Sequence, residues 1–96
     1  MKPFAWNPEK NAQLIEERGI SFERIVNRIE NGGLVNIIAN HNPERYPNQR
    51  VMVVDIDEYA YLVPFVHNDE KHFFLKTIIP SRKATSEYLE KKSWVI

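Results

Sequence analysis

The chain has 96 residues, 43% of them hydrophobic and 27% charged, which suits one packed domain over residues 1–96 and leaves no room for a second core. Cysteine is absent, so disulfides, thiolate metal sites and cysteine nucleophiles are excluded. The formal net charge of zero hides an asymmetry, with 7 basic and 11 acidic residues from Met1 to Glu70 against 6 basic and 2 acidic from Lys71 to Ile96.

No apolar run approaches the ~20 residues that span a bilayer, and Met1-Lys2-Pro3-Phe4-Ala5-Trp6 has no signal-peptide core. A cytoplasmic protein that makes no membrane contact is therefore expected. Asn7-Pro8 starts a first helix, because Asn caps the first-turn amides and Pro at the first helical position has no amide to leave unpaired. That helix runs to about Arg18, buries Leu14 and Ile15, and ends at Gly19. Ser21 caps a second helix, in which Phe22, Ile25, Val26 and Ile29 fall at i, i+3, i+4 and i+7. Gly32-Gly33 stops it.

Leu34 to Ala39 reads as a strand, and the segment Asn40 to Asn48 is too proline-rich to continue it. Val51–Ile56 and Tyr59–Val66 pair as a hairpin about Asp57-Glu58, and His72–Ile79 adds a further strand across a turn at Asn68-Asp69-Glu70-Lys71. Pro64 predicts a bulge or an edge position. A third helix starts at Ser81 or Thr85 and runs to about Lys91, with Ala84 and Tyr88 turned inward and Leu89 a further candidate for that face. The expected architecture is α+β: two N-terminal helices, an antiparallel sheet of three to four strands and a C-terminal helix, with the helices over one sheet face. The tail Ser93-Trp94-Val95-Ile96 either packs back on the domain or meets a partner.

Two blocks carry a family resemblance. Phe4-Ala5-Trp6-Asn7-Pro8-Glu9-Lys10 followed by Glu17-Arg18-Gly19-Ile20-Ser21-Phe22-Glu23, and Lys76-Thr77-Ile78-Ile79-Pro80-Ser81-Arg82-Lys83-Ala84, resemble in order and spacing the opening and closing blocks of the BrnT family of type II toxins. The chain departs from that pattern at Asn7 (aspartate), Glu17-Arg18 (Lys-His), Lys76 (arginine) and Pro80-Ser81 (Ser-Ala). No family acid or base preceding Gly19 is therefore carried over. The resemblance implies a RelE/ParE-like fold and an endoribonuclease that inhibits translation. Its substrate would be mRNA, either free or on the ribosome. A ribbon-helix-helix antitoxin would silence it and provide its only link to operator DNA.

Metal-independent RNA cleavage requires a group to deprotonate the ribose 2′-hydroxyl, a cation for the phosphate and an acid for the leaving 5′-oxygen. Arg82, matching the family arginine at the start of the third helix, is the first candidate for the phosphate. Lys76 either snorkels to the sheet edge or points into the site, for phosphate binding or proton transfer. Lys83 adds charge there, and Arg50 is either a phosphate contact or an ordinary strand-end cation. His41 is the preferred general acid or base, since histidine alone titrates near neutral pH without help; the alternative is a solvated loop histidine. Tyr59 and Tyr61 alternate onto one strand face and either stack bases or belong to the core. His41, His67 and His72 have no helix-face metal spacing, so neither a metal nor a cofactor is expected. The site requires Lys76 and the cations of the third helix to meet in one hollow. Two alternatives stand beside the nuclease: a RelE-like module whose altered residues have abolished or changed cleavage and which acts through its antitoxin, and an unrelated small α+β interaction protein, favoured where no basic concave face surrounds Lys76 and Arg82.

Overall fold

The computed structural model describes residues 3–68 and 71–90. The first helix, α1 (Pro8–Arg18), starts where the capping chemistry places it: Asn7 Oδ1 accepts from the amides of Glu9 and Lys10 at 2.8 and 3.2 Å. Both are first-turn donors with no carbonyl four residues back. Gly19 closes the helix at φ 67°, a left-handed conformation in which a side chain would be strained. Ser21 Oγ then accepts the Arg24 amide at 3.1 Å to cap α2 (Phe22–Glu30).

The buried stripe of α2 is the expected one, with Phe22, Ile25 and Ile29 inside. In α1 the expectation is corrected: Leu14 is buried together with Asn11, whereas Ile15 is 50% exposed. Asn11 lies inside because it serves the start of α2. Its Oδ1 accepts the Phe22 amide at 2.8 Å and its Nδ2 donates to Glu23 Oε1 at 2.7 Å.

Among the described residues one mixed sheet runs from Phe4–Trp6 (β1) through His72–Leu75 (β5), Tyr59–Asn68 (β4) and Arg50–Ile56 (β3) to Leu34–Ala39 (β2), and a short strand Ile79–Pro80 (β6) also pairs with β4. Strands β2 (Leu34–Ala39), β3 (Arg50–Ile56) and β4 (Tyr59–Asn68) form the expected antiparallel set. Asp57 and Glu58 adopt positive φ of 52° and 67° in the two-residue turn between β3 and β4, the backbone such hairpins need. The sheet is larger than expected. An unforeseen strand, β1 (Phe4–Trp6), lies parallel to β5 (His72–Leu75).

The expected strand His72–Ile79 is in fact two, β5 and β6 (Ile79–Pro80). Pro64 accounts for the interruption. It is a buried residue inside β4, not at an edge, and its carbonyl accepts the Lys76 amide at 2.8 Å on the β5 side. Amide and carbonyl of one strand residue point to the same neighbour, so the donor that proline lacks falls on that side, between the end of β5 and the start of β6. Asp69 and Glu70 of the expected turn, the helix end at Lys91 and the tail 93–96 lie outside the described residues.

A larger correction concerns the layers. Met52, Val54, Ile56, Val63 and Phe65 pack with Leu14, Phe22, Ile25 and Ile29 beneath α1 and α2. The alternate residues Val53 and Ala60 pack instead with Ala84, Tyr88 and Leu89. The third helix thus covers the opposite sheet face, and the architecture is α+β with helices on both sides. It consists of α3 (Arg82–Ala84) continued by a π-helical turn (Thr85–Leu89). No helix among the described residues is long and apolar enough to cross a membrane.

Candidate functional site

One residue of β4, Ala60, holds the third helix to the sheet. The Ser81 amide donates to the Ala60 carbonyl at 3.0 Å, and the Ala60 amide donates to Thr85 Oγ1 at 2.8 Å. The Thr85 hydroxyl in turn donates to the Ser81 carbonyl at 2.8 Å. Both ends of the first helical turn are therefore tied to the hairpin, which orients the next two residues on its outer side. Thr85 is buried, so Thr85→Val leaves the Ala60 amide without an acceptor and is expected to lower stability by about 1–3 kcal/mol. Thr85→Ser is expected to keep most of it. Urea denaturation of the two variants checks this, and a valine variant as stable as the parent would contradict it.

Beside this helix lies a hollow of about 240 Å³. Its floor is apolar, made of Ile38, Val51, Leu62 and Ala84, and its walls carry His41, Ser81, Lys83, Glu87 and Tyr88. His41 comes from the loop after β2, whereas Lys83 and Glu87 are four residues apart on the helix. The volume is under the ~300 Å³ at which small-molecule sites begin. Its wall carries one charge of each sign, on Lys83 and Glu87. An imidazole, an ammonium and a carboxylate on one water-accessible surface can together bind a phosphate and move protons on either side of it.

Lys76 lines a different hollow, of about 300 Å³, with Arg45, Tyr46, Gln49 and Val66. The two are neighbours on one sheet face, since Leu62 under the first and Val66 under the second have the same parity in β4. Four strand residues separate them, about 13 Å. The expectation that Lys76 and the helix cations share one hollow is corrected accordingly, because the break after β5 leaves Lys76 beside Pro64 and away from the helix. Arg82 lines neither hollow. It precedes Lys83 by one residue, about 100° round the helix, and its side chain is exposed.

Tyr59 and Tyr61 lie across the sheet from His41. They meet edge to face at 5.7 Å between ring centroids and line a third hollow with Arg18, Arg24 and Asp57. Tyr61 also packs on the α1/α2 core. Neither can stack a base bound beside Lys83, because alternation sends odd-numbered β4 residues to the face covered by α1 and α2. Arg50 is exposed at the start of β3, with the parity of Met52, and is thus directed to that same face.

Sequence reasoning missed Glu87. The signal available was its i, i+4 spacing from Lys83, which places both on one side of a helix. Arg18, the last residue of α1, ties that helix to the segment before β6: its guanidinium donates to the Ile78 carbonyl at 2.6 Å.

Comparisons of the chain with protein-family models, with curated proteins and with solved structures find no significant match in any of the three.

Proposed function

We propose that the chain is a metal-independent endoribonuclease of RelE-like architecture, acting in the cytoplasm as the toxin of a type II toxin–antitoxin pair. The observation that carries this reading is the convergence of His41, Lys83 and Glu87 on one open hollow. In the proposed reaction Glu87 takes the proton from a ribose 2′-hydroxyl as its oxygen bonds to the adjacent phosphorus. Lys83 balances the charge that builds on the phosphate oxygens. The bond from phosphorus to the 5′-oxygen breaks, and cationic His41 gives that oxygen its proton. The products are a 2′,3′-cyclic phosphate and a 5′-hydroxyl, and no metal or cofactor enters. The basic excess after Glu70 supports a polyanionic substrate. The opening and closing blocks support a toxin that inhibits translation by cutting mRNA, with a ribbon-helix-helix antitoxin as partner and as its only route to operator DNA.

One observation favours a second reading, a non-catalytic module that acts through its antitoxin. Arg82, the residue that matches the family arginine, stands outside the hollow, and Lys76 occupies a separate one. Incubating the purified protein with total RNA, with and without ribosomes, separates the two. The nuclease reading predicts fragmentation in a chelator-containing buffer, and near-parental cleavage by Arg82→Ala. Intact RNA under both conditions, from a chain that still binds its antitoxin, would leave the second reading standing.

A further inference from the structure

Resting on the nuclease reading, we infer that the hollow at Lys76 is a second subsite on the same RNA path, which takes an unpaired nucleotide flanking the scissile bond by stacking its base on Tyr46. The loop between β2 and β3 is one built unit that reaches both hollows. Asn40, 8% exposed, donates from Nδ2 to Gln49 Oε1 at 2.7 Å and accepts the Asn42 amide on Oδ1 at 2.8 Å. The Tyr46 amide donates to the Asn42 carbonyl at 3.0 Å, and the Gln49 amide to the Tyr46 carbonyl at 3.2 Å. With its ends and middle pinned in this way, the loop presents His41 to the first hollow and Arg45 and Tyr46 to the second.

The second hollow has the chemistry that single-stranded RNA recognition uses. Tyr46 is 39% exposed, and the Arg45 guanidinium carbon lies over its ring, 5.6 Å from the centroid. Lys76, which lines the same hollow, holds its ammonium 5.5 Å from the centroid of the Phe74 ring. A phenol ring at the surface takes an unpaired base by its π face, with the Arg45 guanidinium giving way to the base and joining Lys76 on the connecting phosphates. The ~13 Å step along β4 separates this base from the bond that is cut, so the substrate is a single-stranded segment several nucleotides long. A dinucleotide would fill the first hollow alone. An acidic protein segment would use the two cations but would not tie Tyr46 to RNA length.

The test is the cleavage of oligoribonucleotides of two, four and six residues by the parent chain and by Tyr46→Ala and Tyr46→Phe. The parent kcat/KM is expected to rise with length. Tyr46→Ala is expected to abolish that rise and to increase KM for the hexamer by about 5- to 150-fold, the effect of losing one base stack. Tyr46→Phe, which keeps the ring, is expected to restore it. Cleavage that is independent of length, or a Tyr46→Ala variant equal to the parent on the hexamer, would overturn the subsite while leaving the nuclease reading in place. A Tyr46→Ala defect confined to antitoxin binding would assign the hollow to a protein instead. If no oligomer is cut or bound by any variant, the nuclease reading falls and the subsite falls with it.

Discussion

His41→Ala and Glu87→Gln are each expected to slow RNA cleavage by about 10²- to 10⁴-fold, the range over which a positioned acid or base contributes to a proton-transfer step. Both side chains are exposed, so neither change should alter the free energy of unfolding by more than the ~0.5 kcal/mol usual for surface substitutions. The loss should fall on kcat, because these groups act on protons that shift only in the transition state. Since the acid and the base serve one step, the double variant should be slower than either single variant by far less than the product of the two effects. Lys83→Ala, which removes charge from the phosphate, should also raise KM. Single-turnover kinetics on a labelled oligoribonucleotide separates these outcomes. Parental rates in both His41→Ala and Glu87→Gln would remove the hollow from the chemistry.

Phe22→Ala is expected to be strongly destabilising, by about 3–5 kcal/mol. The ring is fully buried and stacks on Trp6 with 5.6 Å between centroids. It thereby joins the start of α2 to β1, the strand that closes one side of the sheet. Its backbone is held too, by Asn11, so the surroundings have little freedom to collapse into the space left behind. Against the ~5–15 kcal/mol that holds a domain of this kind together, such a loss is large. It corresponds to a fall in melting temperature of at least about 12 °C for a chain of this length. Ile15→Ala, on the exposed side of α1, is the matched control and should change stability by no more than about 0.5 kcal/mol. Thermal unfolding of both variants decides the matter, and near-equal midpoints would show that the core does not depend on the Phe22 contact.

The parts of the fold that could be read from the chain are those set by neighbouring residues. Asn7, Pro8, Gly19 and Ser21 mark helix ends by hydrogen bonds and dihedrals within a few positions, and the Asp57-Glu58 turn joins two strands that follow one another. The parts that could not be read depend on distant partners. Strand β1 is three residues long and is held by parallel pairing to β5, far along the chain, with Phe4 opposite Phe73, so no local period announces it. The split of β5 from β6 is caused by Pro64 on the adjacent strand, not by any residue within the segment.

The placement of the third helix did have a signal. Val51, Met52, Val53 and Val54 are consecutive and all buried, and a strand without alternation is one covered on both faces. The same oversight explains the candidate site. Once the third helix is placed across the sheet from α1 and α2, parity sends Tyr59 and Tyr61 away from it and leaves His41, Lys83 and Glu87 on one surface. Lys83 and His41 were legible as residue types with suitable chemistry. Their meeting was not, because it requires the loop after β2 and the helix after β6 to cover the same end of one sheet face.

The chemistry of the cut ends tests the proposed reaction most directly. An oligoribonucleotide is incubated with the protein in chelator, beside the same sequence carrying a single 2′-deoxy residue on the 5′ side of the scissile phosphate, and the products are identified by mass. Attack by the neighbouring 2′-hydroxyl predicts a 2′,3′-cyclic phosphate and a 5′-hydroxyl from the first substrate, with the second left uncut at that bond. Cleavage of the deoxy-substituted bond at the same rate, or 5′-phosphate ends that form only when a divalent metal is supplied, would contradict it.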